Sequence, residues 1–254
     1  MPRPHTYHRP QSLEDALQLV AREGVNTAVL AGGTRLNANL ASVDEVVDLQ
    51  ALGLDQVSYG EDAASLTNGR FSLGAMVRVQ TIVEDEDAPQ LLRQLARREG
   101  PNTFRQAGTI GGVIAGADKA GELLAALLVY NAEVTLRTAA GAHTMLLADF
   151  LADIAGHLRN GILTGVTLET GGQTAHARVA RTPQDSPIVA AIARQLPNDS
   201  ALLALCGVAP TPVLAGPDDL DTLDPPADFR GSKEYRKEMA RVLVKRVFEE
   251  LKES

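Results

Sequence analysis

Four glycines fall within eleven residues in GTIGGVIAGAD, residues 108–118, and two of them are adjacent. Glycine loses more backbone entropy on folding than alanine does, so such a stretch implies something passing too close for side chains. A comparable loop, AGGTRL at 31–36, follows the apolar run NTAVL. Neither loop matches the GxGxxG dinucleotide fingerprint or the lysine-bearing P-loop. Successive backbone N–H groups in a glycine turn can still form an anion-binding concavity, and a missing Cβ lets a phosphate approach. A tight turn or close packing would explain one such loop equally well. Two loops from successive α/β units could hold the two phosphates of one dinucleotide in the crevice between them.

The flanking sequence supplies those units. SLEDALQLVAREG predicts an amphipathic helix capped by Ser12, with Glu14 and Asp15 in its first turn and a stripe of Leu13, Ala16, Leu17 and Val20, ended by Gly24. NTAVLAGGT predicts a buried strand entering the first glycine pair, and EVVDL the next strand, which makes residues 1–56 a small α/β unit. A second unit is expected over 57–165. In it SLTNGRFSLGA signals a hairpin turning at Asn68-Gly69, and APQLLRQLARREG a helix ending at Gly100. ELLAALLVYNA reads as helix and AEVTLRT as strand, with a turn at Ala140-Gly141 and a further strand to Phe150. GILTGVTLE at 161–169 reads as a strand leading out of this unit.

A third region is expected over 166–254. RVARTPQDSPIVAAIARQ and ALLALCGVAPTPVLAG suggest strands with a helix between them, followed by the acidic, proline-bearing linker GPDDLDTLDPPADFRG. The closing SKEYRKEMARVLVKRVFEELKES predicts a helix capped by Ser232, with Tyr235, Met239, Val242, Leu243 and Val247 as its core stripe.

Several function classes are excluded. The formal charge of −8 is spread along the chain without a basic stripe, which disfavours nucleic acid as a partner. The longest apolar run, LLAALLVY, falls far short of a membrane span. MPRPHTYHRPQS has no apolar segment of the secretory kind, so a cytoplasmic location is expected. Cys206 is the sole cysteine, which removes disulfide frameworks, thiolate-ligated clusters and four-cysteine zinc sites. Within ALLALCGVAP it reads as a buried structural thiol. The five histidines show no i, i+4 pair, so no metal site is expected, and His5 and His8 read as exposed in a flexible N-terminus.

YHRPQSLEDALQLVAREGVNTAVLAGGT, SLGAM at 72–76, FRQAGTIGGVIAGADKAGELLAALLVYNAEV, GVAPTPV at 207–213 and DFRGSKEYRKEMARVLVKR stand in the order and near the spacing of one family. Together they resemble the FAD-binding (medium) subunit of the molybdenum hydroxylases, the xanthine dehydrogenase and carbon monoxide dehydrogenase family. The resemblance implies a mixed α/β (α+β) fold: a two-part, PCMH-like FAD domain and a smaller α/β C-terminal domain. It implies a first FAD loop of Leu30, Ala31, Gly32, Gly33, Thr34, Arg35 and Leu36, and a second of Thr109, Ile110, Gly111, Gly112 and Val113. Glu122 stands where the family has an aspartate that accepts hydrogen bonds from the flavin nucleotide's hydroxyls.

Departures are also visible. Val113 replaces the family's asparagine, Arg105-Gln106 its Arg-Asn, and Arg35 a small polar or acidic residue. The resemblance implies electron transfer from a two-cluster iron–sulfur small subunit to FAD and on to an acceptor. Substrate chemistry would belong to a molybdopterin-binding large subunit, so no catalytic residue is assigned to this chain. The alternative left open is a structural or docking subunit of the same fold without flavin.

Overall fold

Ser12 caps the first helix as predicted, its Oγ accepting from the Asp15 N–H at 3.1 Å. The computed structural model describes residues 4–36, 42–60, 69–196, 198 and 200–253, without the side chains of 217 and 218. That helix, α1 (Leu13–Val20), lies beside β2 (Thr27–Leu30) and β3 (Glu45–Asp48). The N-terminus is not loose. Residues Thr6–His8 form β1, which pairs in parallel with β3, so the first sheet runs β1-β3-β2. His8 is partly buried and its Nε2 lies 3.0 Å from the Glu45 carboxylate, whereas His5 is exposed. Strand pairing across the chain carries no local periodicity, which is why β1 escaped the sequence reading.

The second sheet is antiparallel, in the order β4-β5-β8-β6-β7. Its strands are β4 (Val57–Tyr59), β5 (Arg70–Gly74), β6 (Glu133–Thr138), β7 (Gly141–Leu146) and β8 (Ile162–Glu169). β4 and β5 do pair, with Val57 opposite Leu73, but the predicted turn residue Asn68 lies outside the described residues. One expectation is corrected here. The strand predicted to reach Phe150 stops at Leu146, and Phe150 is a fully buried residue of a short helix, Leu147–Ala152. The strand predicted to lead out of the unit is β8, from which the chain passes to the third sheet, and it is flanked on both sides, by β5 and β6. The boundary expected after residue 165 therefore falls inside β8, where Gly165 pairs with both Gly74 and Thr135.

Six helices surround this sheet before the third begins: α2 (Val79–Glu84), α3 (Gln90–Arg98), α4 (Asn102–Ala107), α5 (Ile110–Gly116), α6 (Glu122–Val129) and α7 (Leu147–Ala152), with α8 (Ile154–Leu158) close behind. All eight residues of α6 are buried, as a helix apolar on every side requires.

The third sheet is an antiparallel meander, β12-β11-β10-β9, built from β9 (Gln173–Val179), β10 (Val189–Gln195), β11 (Ala201–Cys206) and β12 (Val213–Leu214). Among the described residues no helix separates these strands, against expectation. β10 is buried on both faces, which gives a continuous apolar run that strand or helix could equally produce. Ala190, Ile192, Ala204 and Cys206 join the core around α6. Their alternates Val189, Ala191, Ala193, Leu203 and Leu205 pack on the closing helix α9 (Lys233–Glu253).

Ser232 caps α9, accepting from the Tyr235 N–H at 3.2 Å, but the buried stripe is rotated from the predicted one. Tyr235 and Val242 are exposed, and Arg236, Ala240, Leu243, Val244, Val247 and Leu251 face inward. The acidic linker is tied down as well. Asp221 pairs with Arg241 and Asp224 with Lys233, while Asp228 binds Arg236 at 2.7 Å and Lys119 at 3.3 Å.

Candidate cofactor site

The first glycine loop leaves the end of β2 and crosses toward α4. A Cβ on Gly32 would overlap the carbonyl oxygen of Ala107, with Gly108 Cα 3.0 Å away. Protein backbone is thus one answer to what comes so close, and it seats the first loop on the start of the second. Gly33 has φ +70°, a left-handed conformation that side chains disfavour. Among the described residues, the N–H groups of Gly32, Gly33 and Thr34 donate to no protein acceptor.

The second loop is different. Its Thr109 caps α5, with Oγ1 accepting from the Gly112 N–H at 3.1 Å. The Ile110 N–H donates to the Val77 carbonyl and the Gly111 N–H to the Ala75 carbonyl, both at 2.9 Å. These donors are already committed, so this loop is not an open anion nest in the sense its sequence suggests. Gly111 is needed for packing, since a Cβ there would lie 2.7 Å from the Ala75 oxygen. At Gly112 a Cβ would meet no backbone, only Thr109 Oγ1 at 3.2 Å. Ile110 and Val113 are buried in the core, while Leu30, Ala31 and Leu36 are half-buried.

Three clefts follow these loops. One of about 490 Å³ is lined by Arg9, Ala31, Gly32, Arg78 and Thr109. A second, of about 290 Å³ and mainly apolar, lies between Val29, Ala31, Leu49, Met76, Gly112 and Ala115. The third and largest, about 730 Å³, takes in Thr34, Arg35, Glu99, Gly116, Asp118 and Glu122. Ala31 belongs to the first two and Ala115 to the last two, so the clefts adjoin along both loops.

Charge in the largest cleft is arranged in pairs. Arg35 binds Glu99 at 3.0 Å, and Gly116 provides the room, because a Cβ there would lie 2.6 Å from the Arg35 side chain. Burial, with Asp118 and Glu122 adding to it against the pull of Arg35, pushes the Glu99 carboxyl up to about 7. Glu122 opens α6, where the helix dipole favours a carboxylate. It is buried, with His176 Nε2 at 2.7 Å and Arg178 Nε at 3.1 Å. Glu99, His176 and Arg178 had no sequence signal: Glu99 stands just past α3 outside both loops, and His176 and Arg178 meet Glu122 from β9, more than fifty residues along the chain.

The residues fit a dinucleotide. Three backbone donors lack protein acceptors, Gly33 holds the conformation such a turn requires, and the clefts extend to both sides. A glycine loop laid between a small parallel sheet and an antiparallel one, with arginines at the adjoining clefts, marks a nucleotide-binding α+β protein. Residues 3–168 match the family described as the FAD binding domain in molybdopterin dehydrogenase, and the chain belongs to that family. FAD is the cofactor of that domain, and the chain is a flavoprotein subunit of the oxidoreductases.

Relatives agree over nearly the whole length. The chain is 28% identical to the glyceraldehyde dehydrogenase medium chain of Sulfolobus acidocaldarius, over 97% of this chain and 98% of that one. It is 29% identical to the carbon monoxide dehydrogenase medium chain of Afipia carboxidovorans, over 97% and 96%. The reconstituted CO dehydrogenase from Oligotropha carboxidovorans superposes with a TM-score of 0.82 at 25% identity, covering 98% of each chain. The carbon monoxide dehydrogenase from Hydrogenophaga pseudoflava shares the fold, with a TM-score of 0.85 at 21% identity over 98% and 97%. No helix among the described residues is long and apolar enough to cross a membrane.

Proposed function

We propose that this chain is the electron-transfer subunit of a cytoplasmic molybdenum-containing dehydrogenase complex, and that it holds FAD between its two glycine loops. The observation that carries the reading is the set of acceptor-free N–H groups on Gly32, Gly33 and Thr34, seated against the backbone of Ala107 and Gly108. These groups would receive the pyrophosphate, with Arg35 alongside. Ala31 and Gly111 would line the walls, with Leu30, Leu36, Ile110 and Val113 behind them, and Thr109 holds the second loop in place by capping α5. Gly112 leaves space for the cofactor. Glu122, oriented by His176 and Arg178, would accept from the nucleotide's hydroxyls.

FAD supplies the redox step when bound, and the protein binds, orients and shields it. Two relatives are named medium chains of dehydrogenases, which supports assembly with a molybdopterin-binding large subunit and a two-cluster iron–sulfur small subunit. The single cysteine, buried at 206, supports a separate chain as the source of cluster ligands.

The test is flavin content. Heat-released cofactor from the purified chain should chromatograph as FAD rather than FMN. Gly112→Val should abolish FAD retention with less effect on circular dichroism and thermal unfolding than Gly32→Val, because the added Cβ meets only the Thr109 hydroxyl, at 3.2 Å, and no backbone. Full FAD occupancy in that variant would overturn the site assignment. Gly32→Val is expected to disturb folding too, since it strikes backbone.

A further inference from the structure

Arg35 stands where the family pattern has a small polar or acidic residue, and its partner Glu99 lies 64 residues along the chain. The Arg35 side chain lies across the backbone of Gly116, at the end of α5, and its Nη2 donates to Glu99 Oε1 at 3.0 Å. Among the described residues its Nε and Nη1 donate to no protein acceptor. Arg35 directly follows Gly32, Gly33 and Thr34, whose N–H groups are also free of protein acceptors. A guanidinium at the edge of an open donor loop is thus tied down by a single contact to one carboxylate.

That carboxylate has acidic company. Glu99 follows α3 directly, with its side chain only 8% exposed. Asp118 faces it from the turn before α6, Glu122 from the start of α6, and Arg98 lines the same cleft from the end of α3. His176 and Arg178 stand behind Glu122 on β9, and the Cys206 thiol faces from β11, kept neutral by burial. Three carboxylates and two guanidiniums therefore line the largest cleft. A flavin pyrophosphate would add two negative charges, and like charges repel strongly where water is partly excluded. Glu122 is matched by Arg178, and Asp118 is exposed to water. Glu99 is the buried carboxyl whose only cation the pyrophosphate would draw away. Burial, with Asp118 and Glu122 adding to it, already pushes it up to about 7 against the pull of Arg35.

We infer that FAD binds with uptake of one proton on Glu99, which releases Arg35 from that carboxylate to the pyrophosphate. The inference rests on the FAD reading above. A neutral carboxyl holds a guanidinium far more weakly than a carboxylate does, and a guanidinium fork matches phosphoryl oxygens. Proton and pyrophosphate therefore act on the Arg35–Glu99 pair in the same direction. Flavin affinity becomes a proton-linked property of this chain, highest below neutral pH and falling as Glu99 ionises and reclaims Arg35.

The test is calorimetric titration of the flavin-free chain with FAD, in pairs of buffers that differ in ionisation enthalpy, so that the difference in heat counts protons. The expected uptake is roughly one proton per FAD at pH 8 and about none at pH 5.5, as linkage to a group titrating near 7 requires. Over the same linkage, affinity should fall about tenfold from pH 6 to pH 8. In Glu99→Gln the uptake should vanish and the pH profile should flatten. Arg35→Gln should bind FAD about tenfold or more weakly than wild type at pH 6, through loss of a charged donor to the pyrophosphate. Uptake that persists in Glu99→Gln comes from another group and overturns the inference, as does full affinity in Arg35→Gln. Binding of FAD by the wild-type chain without proton uptake overturns this inference alone. Failure to bind FAD at any pH overturns the earlier reading and this one with it.

Discussion

Glu99→Gln should make the protein's stability much less sensitive to pH between about 4.5 and 7. The wild-type carboxyl is 8% exposed and, mainly through burial, titrates near 7 in the folded chain against an ordinary value of 4.5. The folded state therefore binds this proton more tightly than the unfolded one. Stability from the group is complete below the ordinary value and falls as pH rises through the folded one. The gap of about 2.5 units, at about 1.4 kcal/mol per unit, corresponds to roughly 3 kcal/mol. Above that window the fold must carry an ionised carboxylate inside the cleft, held by Arg35 at 3.0 Å. Glutamine keeps the shape and cannot ionise. Urea unfolding of the flavin-free chain at pH 5, 6, 7 and 8 measures the effect. The variant should gain on wild type by up to about 3 kcal/mol across the series, close to 1 M in midpoint for an m-value of about 3 kcal/mol/M. If the two proteins change in parallel to within about 0.5 kcal/mol, a value of ΔΔG typical of inert surface changes, the reasoning about this cleft is wrong.

Two further outcomes follow from buried groups. Arg236→Met should destabilise by about 1–3 kcal/mol in urea titration, the cost of leaving buried carbonyl acceptors unpaired. It would take one partner from Asp228, which keeps Lys119 and the Arg230 N–H, and would leave the carbonyls of Ile188 and Gly207 without the guanidinium that serves them. Burial pushes Asp228 up, but hydrogen bonds from the Arg230 backbone, Arg236 and Lys119 outweigh it and hold the carboxyl below the ordinary 3.8. Its contribution should thus be present above that pH and lost as pH falls below it. Cys206 is fully buried and burial pushes its thiol well up, so it should resist an aromatic disulfide reagent at pH 8 and react at once in denaturant.

Much of the chain could be read in short windows. The Ser12 and Ser232 caps, the amphipathic α1, the inert Cys206 and the positions of both glycine loops rest on groups a few residues apart. Capping and periodicity act at that range, so a linear reading finds them. The family motifs share this property, which is why the fold class and the FAD-binding family were legible. Other features depend on what packs against what. Residues 189–193 of β10 are continuously apolar because α6 covers one face and α9 the other, and no period within the strand reveals two partners. β8 became a central strand only through pairing with β5 and β6. The α9 stripe rotated so that Arg236 could reach two carbonyls and Asp228, which lie far apart in sequence. At the site, the second loop's N–H groups looked free until folding brought the Val77 and Ala75 carbonyls to them. Glu99 enters the cleft just past α3, and its carboxyl is pushed up mainly by burial, which exists only once the surrounding elements meet, while His176 and Arg178 reach Glu122 from β9.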